Sequence, residues 1–287
     1  MLQIQSRLRL CDAFGIPIYL DLSLIILLLL FVTGAGSFAS GVVTAFLLLT
    51  SITLHELGHA LTARAFGYQT RDITLSLLGG CASLIALPRK ASQEFLTAIA
   101  GPAVSFALSM LGMAGIAFAA SEGGFLDAAG LVAVESLGAF GLDIRWGGAI
   151  AVSRDNFVFV STFLYLATMN MMLGVFNLLP GFPMDGGRVF RSVMRQFMSR
   201  VRATYIAMMV GRIVAIGIGL RGFWNLANGG NWGFVSMLIA WMIWKEGYRE
   251  YQLAQMESSW GYEDYRARVS PPPYGGDGDE SDVRRGW

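Results

Sequence analysis

Charged residues, histidine and cysteine are all scarce in this chain of 287 residues. Only 14% of its residues are charged, whereas soluble globular chains carry about 25%, so a typical soluble enzyme is disfavoured. Two cysteines are too few for a disulfide framework. The net charge of +1 gives no general attraction to nucleic acid. With 54% hydrophobic residues and a mean hydropathy of +0.54, the composition is that of a membrane protein.

Several stretches are apolar enough to cross a bilayer as a helix, which requires about 17 to 25 residues. The predicted spans are residues 20–36, 42–63, 95–120, 157–179, 204–220 and 232–244. A signal peptide is the alternative for the first stretch, but the polar region of about 20 residues before it is atypical of one. We therefore predict an all-α polytopic membrane protein with about six transmembrane helices, which form one domain over residues 1–250.

Basic residues gather in the loops on one side of these spans. They precede the first span, lie between the second and third and between the fourth and fifth, and follow the sixth. Because such residues concentrate in cytoplasmic loops, both termini are predicted to be cytoplasmic. This arrangement is compatible with a prokaryotic plasma membrane. Residues 251–287 are predicted to form a polar cytoplasmic tail that is disordered from about residue 270.

Two cytoplasmic segments have the patterns of β-strands. Apolar and polar residues alternate over residues 2–10, a period of two. Between the second and third spans, residues 72–78 and 82–87 are short apolar runs separated by Gly79 and Gly80, which is typical of a hairpin. We predict a small membrane-associated β-sheet or hairpin on the cytoplasmic side, because open strand edges cannot face lipid.

The only two histidines of the chain, His55 and His59, lie four residues apart in the second predicted span. Four residues make about one helical turn, so both imidazoles project from one face and can bind one zinc ion. Glu56 follows His55 and is placed to accept a proton from an attacking water. The alternative is a metal-free pair packed between helices. Burying two imidazoles and a carboxylate in a bilayer is costly, and such residues usually mark a functional site.

A catalytic zinc usually has three protein ligands and one open position. Because there is no third histidine, the third ligand must be a carboxylate or a cysteine. We favour Asp185, since the Gly and Pro residues before it break the helix and let the backbone fold back toward the metal. Cys81 in the predicted hairpin and Glu94 at the start of the third span are the alternatives. The former is more typical of a small apolar residue and the latter of a helix N-terminal charge.

Three sequence motifs stand out together. They are His55-Glu56-Leu57-Gly58-His59-Ala60, then Asn177-x-x-Pro180-x-x-Pro183-x-Asp185-Gly186, and Ala100-Gly101-Pro102-Ala103 with Gly15-Ile16-Pro17. Over residues 14–245 the chain thereby resembles the site-2 protease family of intramembrane zinc metalloproteases, in a compact form without PDZ or cystathionine-β-synthase-type domains. The resemblance implies that His55, His59 and Asp185 bind one zinc ion per chain and that Glu56 is the catalytic base. The chain departs from many relatives at Ser105, where they have asparagine.

The resemblance further implies an activity. The expected reaction is hydrolysis of peptide bonds within or near the transmembrane segment of a single-span membrane protein, in the lipid bilayer. Asn177 and Asn170 share a face of the fourth span and are candidate hydrogen-bond donors to the oxyanion; interhelical hydrogen bonding is their alternative role. A polytopic zinc-binding transporter and a proteolytically inactive membrane scaffold remain alternative functions. Transporters usually show related halves, which we do not find, and the complete set of four site residues disfavours a scaffold.

Overall fold

The computed structural model describes residues 7–34, 37–76, 79–84, 88, 90–120, 124–139, 150, 152–229 and 233–259. Over these residues the chain is mainly helical with one small sheet, as predicted. In chain order the elements are β1 (Arg7–Ala13), β2 (Ile16–Asp21), α1 (Leu22–Gly34), α2 (Phe38–Ala65), β3 (Thr70–Ser76), β4 (Gly79–Leu84), α3 (Ala91–Ala119), α4 (Phe125–Ala139), α5 (Phe157–Asn177), α6 (Asp185–Met194), α7 (Arg200–Ala227) and α8 (Gly233–Ser259).

Four of the described helices, α2, α3, α5 and α7, are long and apolar enough to cross a membrane. The predicted count of six spans is not confirmed. Helix α1 has 13 residues and is about 20 Å long, which is short of a hydrocarbon core of about 30 Å. The sixth predicted span occupies the apolar first half of α8, whose second half is charged. Length and composition therefore identify four spans in the described part of the chain.

Two further details differ from the sequence-based expectations. Helix α4 lies between the third and fourth predicted spans, where the sequence analysis assigned no helix or strand. Helix α8 continues without a break across residue 250, where we placed the end of the membrane domain. The alternation predicted for residues 2–10 is confirmed as β1 from Arg7 onward, and its earlier part lies outside the described residues. The predicted disordered tail also lies outside them.

Local signals explain where helix α2, which carries both histidines, begins and ends. The Ser37 hydroxyl accepts a hydrogen bond from the Ser40 amide at 3.2 Å, and the Ser40 hydroxyl accepts one from the Ser37 amide at 3.3 Å. This reciprocal pair satisfies two of the amides that the start of a helix leaves without partners. At the other end, Gly67 has a φ of +83°, the left-handed conformation that ends many helices. Between these caps, 28 residues form one continuous helix.

The sheet has the order β1-β2-β3-β4, in which both outer pairs are antiparallel and β2 runs parallel to β3. The predicted hairpin between the second and third spans is therefore present as β3 and β4. Gly79 and Gly80 do not form its turn, however; they begin β4, where Gly80 pairs with Leu75. Buried apolar residues of β2 and β3 pack against α1 and α2. This packing anchors the sheet beside the helix that carries the histidines.

Candidate metal centre

Helix α2 places His55 and His59 on its buried side, one turn apart. Their Nε2 atoms are 3.2 Å from each other, and their rings meet edge to face with centroids 4.9 Å apart. His55 is only 2% exposed and His59 6%. Two imidazoles thus direct the same ring nitrogen into one protected space, as the spacing in the sequence predicted.

Asp185, which is 126 residues after His59 in the sequence, reaches the same space. Its Oδ2 lies 3.1 Å from Nε2 of His55 and 3.0 Å from Nε2 of His59. Asp185 is the first residue of α6, and the loop that precedes it turns back sharply after α5. Gly186 makes this turn possible, because a Cβ there would overlap the carbonyl groups of Leu178 and Leu179. Ligand atoms of the three side chains all lie within 4.8 Å of one another.

Hydrogen bonds to acceptors on helix α3 orient both imidazoles. Nδ1 of His59 lies 2.7 Å from the carbonyl oxygen of Thr97, which can only accept, so Nδ1 carries the hydrogen. In the neutral ring this leaves a lone pair on Nε2, the atom directed at Asp185. Nδ1 of His55 lies 2.9 Å from Oγ of Ser105, a hydroxyl that can accept in the same way. Such outer hydrogen bonds typically fix the tautomer of histidines that bind a metal.

The donor atoms fit a zinc ion. With both rings neutral and the hydrogen on Nδ1, two nitrogen lone pairs and a carboxylate oxygen converge, and a cation between them would be bound by all three atoms. Zinc binds such atoms at about 2.0–2.1 Å in a tetrahedral arrangement, which separates the ligand atoms by about 3.3 Å. The observed separations are 3.0, 3.1 and 3.2 Å. Nitrogen and oxygen ligands of this kind are those that zinc takes at catalytic sites.

Two glycines form the walls of the site. A Cβ at Gly101 of α3 would overlap the rings of His59 and His55. A Cβ at Gly80 of β4 would overlap the side chain of Glu56. Backbone therefore lies directly against both the imidazoles and the buried Glu56 carboxylate. Gly101 belongs to a motif quoted above, whereas the close approach of Gly80 was not anticipated, because we assigned it to a turn.

The alternatives for the third ligand are placed differently. Glu94 is buried but accepts hydrogen bonds from Arg191, at 2.7 Å, and from Arg195. It is not among the three residues whose ligand atoms converge. The side chain of Cys81 lies outside the described residues. Of the described candidates, Asp185 is therefore the one that joins the two histidines.

The two asparagines on α5 both make hydrogen bonds within the helical bundle. Nδ2 of Asn170, which is fully buried, donates to Oγ of Ser51 on α2 at 2.8 Å and to the Leu166 carbonyl at 2.9 Å. Nδ2 of Asn177 donates to the Leu173 carbonyl at 2.9 Å. The bond between Asn170 and Ser51 is of the interhelical kind that we considered as its alternative role. A role in oxyanion stabilisation stays a prediction for both residues.

Sequence reasoning missed two positions that support the site. Thr97 contributes a backbone carbonyl, which every residue type has, so no sequence signal could identify it. Ser105 carried a signal, since it departs from the asparagine of many relatives, but its partner was not apparent. The structure shows that this departure lies at a hydrogen bond to His55.

Comparisons with known proteins agree with the geometry. The profile of peptidase family M50 matches residues 43–218, which is more than half of the chain. The chain is 28% identical over 255 residues to a zinc metalloprotease of Methanocaldococcus jannaschii, an alignment that covers 88% of this chain and 62% of the relative. It is 33% identical over 208 residues to Rip3 of Mycobacterium tuberculosis, which also carries a zinc metalloprotease name, with 72% of this chain and 45% of Rip3 covered. The chain thus spans only about half the length of these relatives.

A solved structure has the same fold. The site-2 protease of Methanocaldococcus jannaschii superimposes with a TM-score of 0.54 at 27% identity, covering 86% of this chain and 95% of that one. The matched family region contains the two histidines, Glu56 and Asp185. On the family match, the shared fold and the grouped residues together, this chain belongs to peptidase family M50, the family of the site-2 proteases.

Proposed function

We propose that this protein is an intramembrane zinc metalloprotease that hydrolyses peptide bonds within or near the transmembrane segment of single-span membrane proteins. The observation that carries the proposal is the convergence of His55 Nε2, His59 Nε2 and Asp185 Oδ2 beside Glu56. Convergence at a buried position on a candidate membrane span supports a site within the bilayer rather than on a soluble domain. The basic loops further support cytoplasmic termini in a prokaryotic plasma membrane.

The positions of His55 on α2 and Asp185 on α6 support a particular depth of the site in the membrane. His55 lies about two-thirds of the way along α2, and Asp185 follows the end of α5 by a short loop. In the proposed orientation both positions are nearer the cytoplasmic face. Peptide hydrolysis consumes water, and a site close to one face can take up water from that side while the rest of the bundle excludes it.

In the proposed mechanism, His55, His59 and Asp185 hold the metal and Glu56 moves the proton. Zinc, when bound, supplies a Lewis acid that polarises the scissile carbonyl and lowers the pKa of water toward about 7. The Glu56 carboxylate accepts a proton as the water oxygen attacks the carbonyl carbon, and it delivers that proton to the leaving amine as the C–N bond breaks. The Gly80 backbone packs against Glu56 and restricts where its carboxylate can lie.

The position of β4 suggests how a substrate is presented. A helical substrate must unwind before attack, because its carbonyls are already hydrogen-bonded. Strand β4 is an outer strand of the sheet, so one of its edges has no partner strand among the described residues. An unwound segment can add to such an edge through main-chain hydrogen bonds. Because Gly80 of β4 contacts Glu56, a segment that paired there would pass close to the reacting groups.

Co-expression with a single-span substrate tests the proposal. Glu56→Gln preserves the shape of the side chain but cannot accept the proton, so we expect cleavage to fall at least about 100-fold while zinc content stays near one per chain. Asp185→Ala should lose both zinc and cleavage. Cleavage by Glu56→Gln at the wild-type rate would contradict the protease mechanism, and full zinc content in Asp185→Ala would contradict the ligand assignment.

A further inference from the structure

Arg191 is buried among residues that reach both sides of the candidate metal centre. It lies six residues after Asp185 on α6, and its side chain is only 3% exposed. The guanidinium donates to Glu94 at 2.7 Å and to Glu250 at 2.8 Å, and it lies over the ring of Phe182 at 5.0 Å from the centroid. One side chain therefore joins α3, α8 and the loop before α6.

The contact with Glu94 leads to His59. Glu94 lies in the first turn of α3, and Thr97 follows it by three residues, about one turn further along the helix. The carbonyl of Thr97 accepts the hydrogen bond from Nδ1 of His59 at 2.7 Å. By holding Glu94, Arg191 holds the turn of α3 that orients one of the two imidazoles.

The contact with Phe182 leads to Asp185. Phe182 is fully buried and precedes Asp185 by three residues, in the loop that folds back after α5. Arg191 reaches back from α6 to cover its ring, and the cation attracts the face of the aromatic ring. The guanidinium thereby fixes the loop against the helix that begins with Asp185.

Only arginine suits this position. Its planar fork can donate to two carboxylates while its face stacks on a ring, whereas the lysine ammonium is a point charge that cannot do all three. A buried guanidinium also requires its anionic partners, because removing one leaves an uncompensated charge. Glu250 supplies one of these partners from the charged half of α8, outside the four candidate spans.

We propose that Arg191 is a positioning residue that sets the separation between Asp185 and the two histidines, and that Glu250 holds it in place. The inference rests on the ligand set of the proposed function. Replacing residues that orient metal ligands typically lowers metal affinity about 10- to 100-fold. The second half of α8 thus contributes to the zinc site although none of its residues belongs to the ligand cluster.

The test compares two glutamate variants of α8, which lie four residues, or about one helical turn, apart. Glu250→Gln removes one of the two anionic partners of Arg191, and Glu246→Gln removes the partner of Arg249 in an ion pair at 3.0 Å. Full-length protein in detergent is titrated with zinc against a competing chelator, and the visible spectrum of the cobalt-loaded protein reports the ligand geometry. We expect Glu250→Gln to bind zinc about tenfold more weakly or worse, with an altered cobalt spectrum, and Glu246→Gln to match the wild type.

Arg191→Lys and Asp185→Asn complete the experiment. Arg191→Lys should weaken zinc binding at least as much as Glu250→Gln, and Asp185→Asn should weaken it most. If Glu250→Gln binds zinc with wild-type affinity and spectrum, the inference is wrong, even if the variant melts at a lower temperature. If Asp185→Asn also binds zinc normally, the proposed ligand set fails as well, so the two failures are distinguishable.

Discussion

The backbone of Gly80 in β4 lies directly against the side chain of Glu56 in α2, with no room for a Cβ between them. The sheet is therefore part of the wall around the proposed catalytic carboxylate. A residue that we first assigned to a turn instead restricts where the proposed base can lie.

We expect Gly80→Ala to reduce cleavage at least about tenfold with little change in zinc affinity, because the new methyl group displaces the Glu56 carboxylate but not the histidines. Zinc titration and a cleavage assay on the same preparation separate the two effects. Gly217→Ala on α7 is the control, since nothing lies within 4 Å of a Cβ there. Equal cleavage by Gly80→Ala and the control would show that the contact has no catalytic importance.

Ser105→Ala should lower zinc affinity about 10- to 100-fold, because Nδ1 of His55 loses the hydroxyl that orients it. Chelator competition measures the change. Ser109→Ala is a matched control: it lies one turn further along α3, is equally buried, and donates to the Ala167 carbonyl at 2.8 Å. We expect the control to lower the unfolding temperature without affecting zinc. A similar loss of zinc in both variants would contradict a specific role for Ser105.

Acid should weaken the link between α8 and α6. Burial alone would raise the pKa of Glu250, but the charges of Arg191 and Arg188 and the hydrogen bond from Arg191 hold it below its usual value, with Arg200 also facing it. A carboxylate with a lowered pKa contributes stability that is complete above the unfolded pKa of about 4.3 and is lost as the pH falls through the folded pKa.

The unfolding temperature of the metal-free protein, measured from about pH 6 downward, tests this expectation. The unfolding temperature of the wild type should exceed that of Glu250→Gln by most above about pH 4.3. This difference in unfolding temperature should shrink as the pH falls. Glu246→Gln should follow the wild-type curve, since an exposed ion pair contributes little to stability. A difference that is constant across this pH range would exclude the ionised Glu250 as its source.

Asn170→Ala is expected to act mainly on stability. The variant removes the hydrogen bond to Ser51 and leaves that buried hydroxyl without it, a cost of about 1–3 kcal/mol. Thermal unfolding and kcat should be measured together. Removal of an oxyanion donor would instead lower kcat about 100- to 1,000-fold without changing the unfolding temperature, so that result would support the oxyanion role of Asn170.

Features that depend on nearby residues were predictable. The spacing of His55 and His59 defines one face of a helix whatever surrounds it, and long apolar segments identify most of the membrane helices. The strand pattern between the second and third spans likewise indicated the hairpin. The first and sixth predicted spans are not among the four candidate spans of the structure, because composition alone does not distinguish a short apolar helix from one that crosses the membrane.

The sequence by itself determined that one helix presents the two histidines on one face, and that any third ligand beside them had to be another residue type. Tertiary structure decided how Asp185, 126 residues after His59, meets that pair, which backbone carbonyl orients His59, and how closely Gly80 approaches Glu56. The physical reason is that periodicity reflects forces between neighbours along the chain. Contacts between distant segments depend on how the helices and the sheet pack together, and no local pattern records that packing.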